Sequence, residues 1–299
     1  MPGTVSIRRR VTDWTTYVLC LACVVFAIGI LVIIVSSSVQ HALPAFQGSG
    51  VGLFTRAEPL PCSYAPGGIP CNDFGGIEPV LEGTFYLMIL ASAIAIPIGV
   101  LAGVFLSEYG RNPLGRTLSF LVDVLAGVPS IVVGLFIFSV VLWWQPTIVY
   151  SVISGGLALA VIMLPVVVRT TEESLKLVPQ STREAALALG IPRYRSILQI
   201  ILPNGAGALV TGALLAVARA GGESAPLLLL ELQPRIGFTG WTHSIVPIPL
   251  LVYLWGFTEP NANWQADAWA AAVTLIGIML ALSLCARFLL KRRLPGSGM

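Results

Sequence analysis

With 299 residues, of which 56% are hydrophobic and only 10% charged, and a mean hydropathy of +0.87, the chain is built for lipid rather than water. That composition leaves no room for a soluble catalytic domain. The net charge of +3 carries little information beyond sidedness, and no nucleic-acid partner is expected.

The first element is an apolar run at 14–35, long enough for hydrocarbon, which takes about 20 helical residues to cross. Arg8, Arg9 and Arg10 precede it as in a secretory signal, but the run is long for one and no small-x-small cleavage site follows, so it reads as a retained helix. Cys20 and Cys23 spell CxxC within it and read as two small apolar residues. Residues 36–83, with "PCSYAPGGIPCNDFGGIEP", read as an irregular external loop. Cys62 and Cys71 in that loop form a C-x8-C pair, a candidate disulfide in an oxidising exterior.

Five further runs, 84–106, 118–142, 148–168, 206–230 and 268–290, bring the expected count to six spans. The fold class expected is an all-α integral membrane protein. Its parts would be a tail, first helix and external loop (1–83), a membrane domain (84–290) containing a loop at 169–205, and a tail (291–299). In the third span Asp123, Gly127, Ser130 and Gly134 follow i, i+4, i+7 and i+11, one helical face, with Pro129 placed to kink it. Structural and functional roles stay open for Asp123 and Ser130. Arg169, Glu172 and Glu173 mark the exit of the fourth span, as interface charges or as part of a polar path.

Between the fourth and fifth spans the chain spells "STREAALALGIPRYRSILQIILP" (181–203). Ser181 and Glu184 have the S-x-x-E spacing of a capping box, the following Ala and Leu residues favour helix, and Gly190 suits a left-handed stop. A short polar helix is expected here, with a small Ala-covered surface that another protein can approach closely.

The fifth span carries Arg219 and Glu223 near its middle, where an isolated charge costs about 2.5–3.5 kcal/mol on insertion scales. Four residues apart, they are expected on one helical face, beside a small-residue stripe of Ala208, Gly212, Ala216 and Ala220. Two readings remain: an ion pair that fixes packing, or a cationic waypoint for an anion, with Arg219 matching oxyanion geometry. In the second external loop "IPLLVYLWGF" is too short to span and reads as interfacial or re-entrant, with Tyr253 and Trp255 at headgroup level. His41 and His243 are isolated loop histidines outside any metal-ligand spacing.

Orientation follows from the 17 Lys and Arg residues. If six spans alternate, 14 of them fall on one side and only Arg56 and Arg235 opposite, with Arg219 inside a span. Both termini and the 169–205 loop are therefore expected in the cytoplasm. The chain has only two lysines, Lys176 and Lys291, and neither completes a GxxxxGK[ST] P-loop, so no ATPase of that type resides on it.

As a pattern, Glu184, Ala185, Ala186 and Gly190 with the following "ILQIILP" resemble the EAA loop of bacterial type I ABC importer permeases. The likeness covers about 200 residues, from the second span to the sixth. "LAGVPSIVVGLF" (125–136), "LPVVVRTTEESLKLVP" (164–179) and "ARAGGESAPLLLL" (218–230) closely resemble the PstA permeases of phosphate-specific ABC importers; Arg219, Gly222, Glu223, Ser224, Ala225, Pro226 and Leu227 match that family's fifth-span motif. Gly221 departs from it, where many members place a larger apolar residue, and is expected to loosen packing beside the charge pair.

The resemblance implies a multi-pass protein of the bacterial cytoplasmic membrane, working as a heterodimer with a PstC-type permease. It further implies two copies of a PstB-type ATPase, which would hold ATP and Mg, and a PstS-type phosphate-binding protein outside; membrane lipid is the remaining partner. No cofactor and no catalytic or metal residue is expected on this chain. Glu184, Ala185, Ala186 and Gly190 would couple it to the ATPase, and Arg219 and Glu223 would line the path. Alternatives are a permease for another oxyanion such as molybdate or sulfate, the sister PstC-type subunit, an ATP-independent channel or secondary transporter, and a membrane-embedded enzyme.

Overall fold

A computed structural model describes residues 7–56, 75–230, 237–258 and 261–293, and its regular structure is helical throughout. Cys62 and Cys71 lie outside the described residues. Helix α1 spans Ile7–Ser49, α2 Glu78–Tyr109, α3 Pro113–Gly127, α4 Ser130–Trp144 and α5 Val152–Lys176. Two short helices follow, α6 at Gln180–Ala188 and α7 at Arg193–Ser196. A π-helical turn, Ile197–Ile201, carries α7 into α8 at Leu202–Gly221. After α9 (Leu227–Leu230) and α10 (Ile248–Tyr253), α11 runs over Ala262–Arg293. Five of the helices are long and apolar enough to cross a membrane, six if α3 and α4 form one broken span.

Helix α5 forms the centre. Gly99 and Gly103 of α2 lie so close to it that a Cβ would come within 2.7 Å of Val167 at the first and 2.5 Å of Thr171 at the second. From another side Gly212 of α8 meets Thr170 in the same way, with a Cβ position 2.5 Å from its side chain. Glycine at each crossing lets the backbones approach, which is how helices gain contact in a solvent as apolar as their own side chains. Gly212, Ala216 and Ala220 of the expected stripe are buried, whereas Ala208 faces outward.

Four expectations change. Helix α1 continues well past residue 35, and the hydroxyls of Ser36 and Ser38 find partners within it by donating back to the carbonyls of Ile33 and Ile34; His41 therefore sits on a helix, its ring 5.3 Å from that of Trp269. The third span is two helices meeting at 105°, since Val128 and Pro129 are extended (ψ 131° and 134°). Proline lacks the N–H that would continue the helix and forces its predecessor out of the helical region. Asp123 and Gly127 thus share no face with Ser130 and Gly134. The fifth span likewise stops at Gly221 and resumes only at Leu227. Finally, Trp255 does not face lipid: it is buried and stacked on Trp264, 5.3 Å away, in a core joining α10 to α1, α2 and α11.

Candidate functional site

Two regions gather the singled-out residues. The first lies where the two broken spans meet. A Cβ on Gly134 of α4 would sit 2.6 Å from the Cα of Pro226, so the second turn of α4 touches the end of the break that precedes α9. Non-helical backbone at membrane depth is tolerated only where protein buries it or water fills a cavity beside it. Arg219 occupies the last turn of α8, where a cation complements the carbonyl end of the helix, and Glu223 lies beyond that end. The two do not share a helical face. Their closest approach, Arg219 Nε to Glu223 Oε1, is 3.9 Å, too long for a hydrogen bond, and the Arg219 side chain is 60% uncovered against 21% for Glu223. Gly221 does not loosen this region: the Cβ position is taken by Met279 Cε at 2.3 Å and Met88 Sδ at 3.1 Å.

The second region lies at the end of the bundle where α2, α5 and α8 exchange with α3, α6 and α7. Helix α6 begins two residues earlier than the S-x-x-E spacing implies. Pro179 is its N-cap, and no side chain caps it, so the Ser181–Glu184 capping box is not formed. Its other end follows expectation. Gly190 is left-handed (φ 74°), its N–H donates to Leu187 O at 3.0 Å, and the Ile191 N–H donates to Ala186 O at 3.2 Å, the Schellman pattern. Ala186 is turned inward, while Glu184, Ala185 and Gly190 are exposed. Leu187, Leu189 and Tyr194 are exposed beside them, an apolar patch on a short polar helix.

Arg183 fastens this helix to the spans. Its Nη1 pairs with Glu108 of α2 and its Nη2 donates to Leu175 O of α5 at 2.6 Å, with both charged side chains only 14% exposed. Desolvation by burial lowers the guanidinium pKa from its usual value. Arg169 of α5 makes a second junction. It pairs with Asp123 and Glu172 and donates to the carbonyl (3.0 Å) and hydroxyl (2.9 Å) of Ser119, while Lys176 also holds Glu172 at 2.6 Å. Asp123, Arg169 and Glu172 thus converge, tying α3 to α5; Ser130 belongs to the other half of the break and joins neither group. Neither Glu108 nor Ser119 was singled out by motif or spacing. Among the described residues no group of three or more His, Cys, Asp or Glu is placed to hold a metal ion.

The profile of the binding-protein-dependent transport system inner membrane component family matches residues 95–294. The chain is 36% identical over 286 residues to the phosphate transport system permease protein PstA of Yersinia pestis, covering 95% of this chain and 92% of that one. It is 41% identical over 236 residues to the protein of the same name from Mycobacterium leprae, covering 77% and 76%. Among solved structures, a chain of a bacterial alginate ABC transporter superposes with a TM-score of 0.62 at 15% identity, covering 98% of this chain and 99% of its own. The MetNI methionine ABC transporter in an inward-facing conformation superposes with 0.59 at 19% identity, covering 72% and 94%. Those two likenesses establish the fold, that of a type I ABC importer permease. On the profile match and the two sequence relatives together, the chain belongs to the binding-protein-dependent transport system inner membrane component family and, within it, to the PstA-type permeases.

Proposed function

We propose that the chain is a multi-pass subunit of the bacterial cytoplasmic membrane forming half of the path of an ATP-driven inorganic phosphate importer. The phosphate assignment comes from relatives 36% and 41% identical that carry the name phosphate transport system permease PstA. The role in an ATP-driven machine rests above all on α6, a nine-residue helix that presents Glu184, Ala185 and apolar side chains outward and is fastened to the spans through Arg183. A surface of that kind serves a separate ATPase, which supplies ATP and Mg; this chain is a transport subunit, and the membrane end carrying α6 faces the cytoplasm with both termini. A second permease, of PstC type, completes the path. Two features support it: α1, whose apolar stretch is left uncovered by the described residues, and Arg219, whose side chain is 60% exposed.

Alternating access follows from this arrangement. Closure of the paired ATPases draws α6, the Arg183 junction passes the movement to α2 and α5, and rigid rocking of the spans opens the path outward to receive phosphate from a PstS-type binding protein. Arg219 supplies a fixed positive charge to the anion, and Glu223 keeps that charge from holding it too tightly to leave. The deciding experiment is ATP hydrolysis by the complex reconstituted with ATPase, second permease and binding protein. Stimulation by phosphate-loaded binding protein is expected. Stimulation by a molybdate- or sulfate-loaded protein instead, or hydrolysis indifferent to any of them, would refute the reading.

A further inference from the structure

Behind α6 lies a cavity of about 800 Å³ whose walls come from the end of α2, the turn into α3, the end of α5, α6 and α7. Four cationic side chains line it, Arg111, Lys176, Arg183 and Arg193, against two carboxylates, Glu108 and Glu172. Both carboxylates are already engaged, Glu108 by Arg183 and Glu172 by Arg169 and Lys176. Arg111 and Arg193, both exposed, are left without a carboxylate among the described residues; the Arg193 guanidinium lies over the ring of Tyr109, 5.8 Å away. The wall holds further unused polar capacity. Asn112, the N-cap of α3, leaves the positive end of that 15-residue helix without a side-chain cap. Two unneutralised guanidiniums and an uncapped helix start in one concavity are the partners of an oxyanion.

We propose that this cavity binds a phosphate group, separate from the path at Arg219. The group bridges Arg111 on the α2–α3 turn to Arg193 on α7, so its occupancy stiffens the link between α6 and the spans, a consequence that rests on α6 being the coupling helix. Phosphate of this class reaches the site either as inorganic phosphate in the cytoplasm or as the headgroup of an anionic lipid, since the neighbouring Leu114 of α3 stands exposed at the mouth of the same turn.

The test uses the complete permease–ATPase complex carrying Arg219→Gln, which removes the path's own cation, compared with the same complex also carrying Arg111→Gln and Arg193→Gln. Binding of radiolabelled inorganic phosphate is measured in detergent, and retention of phosphatidylglycerol by native mass spectrometry. Loss of each guanidinium is expected to weaken binding about tenfold. A phosphate signal that falls in the variant identifies the free anion as ligand; a lipid adduct that disappears identifies the headgroup. Equal binding of both probes by the two complexes, or none by either, overturns the proposal. Thermal melting of each complex controls for misassembly, and a complex carrying Arg111→Lys and Arg193→Lys, which keeps both charges but loses the guanidinium forks, gives a second variant expected to retain part of the same signal. Binding-protein-stimulated hydrolysis, measured alongside in a complex with native Arg219, reports separately on the coupling reading. Its absence would strike that reading and leave the anion result standing.

Discussion

Two arginine–glutamate pairs organise this molecule, and they are opposites. Arg183 and Glu108 meet in direct contact, each 14% exposed, with a backbone carbonyl completing the guanidinium's bonds. Arg219 and Glu223 stand 3.9 Å apart with the arginine 60% uncovered. Under the proposed function, the same chemistry serves mechanics in one place and reception in the other. A charge paired at a closed interface can transmit force, because breaking the pair strands a desolvated ion. A charge with free donors at a break between helices can accept a ligand and give it up again.

The largest effect is expected where the open pair is deprived of its cation. Arg219→Gln should lower phosphate uptake in vesicles by about 100-fold, the worth of charged hydrogen bonds to an anion, while the complex still assembles. A swapped Arg219→Glu, Glu223→Arg variant that transported normally would turn this pair into another structural contact and erase the contrast. Next comes the surface that the closed pair supports. Glu184→Lys should cut ATPase co-purification by about 30-fold, as loss of an interface hot spot does, without altering the melting of the permease itself. Third, Arg183→Gln leaves Glu108 without its ion partner and should destabilise the α6 junction by about 3 kcal/mol, seen as a lower melting temperature and as faster proteolysis at α6. The reversed pair Arg183→Glu, Glu108→Arg should recover part of that loss; full recovery of stability without recovery of coupling would show that orientation as well as attraction matters. The smallest is Gly190→Ala, which places a side chain at φ 74° and should cost about 1 kcal/mol, read as a modest weakening of ATPase binding.

Much of this was legible in the sequence because it is local. Six apolar runs, a short helix stopped by Gly190 and the motif around Arg219 all rest on neighbours within a few residues, and the helices formed where the hydrophobic length required. Pro129 announced a kink, though not one of 105° that divides a span and separates Asp123 from Ser130. The Gly221–Gly222 step was present too, but an i, i+4 spacing invites a continuous helix, and the backbone chose to end instead. Contacts between distant segments were illegible. Glu108 lies 75 residues from Arg183, and Asp123 and Ser119 lie 46 and 50 from Arg169, so no periodicity reports them. The burial of Trp255 was hidden for a similar reason: its stacking partner Trp264 starts a different helix.

The contact between Gly134 and Pro226 bears on how the protein is made. At synthesis rates of about 5–20 residues per second, the proline emerges roughly 5–20 s after the glycine it will touch. During that interval α5, which packs on both α3 and α4, has emerged, but the face of α4 around Gly134 still lacks the segment it receives, and must be covered by lipid, water or the insertion machinery. The first half of the chain is therefore unfinished business for the membrane until the second half arrives. Quality control that samples uncovered helix faces has its best opportunity in that window.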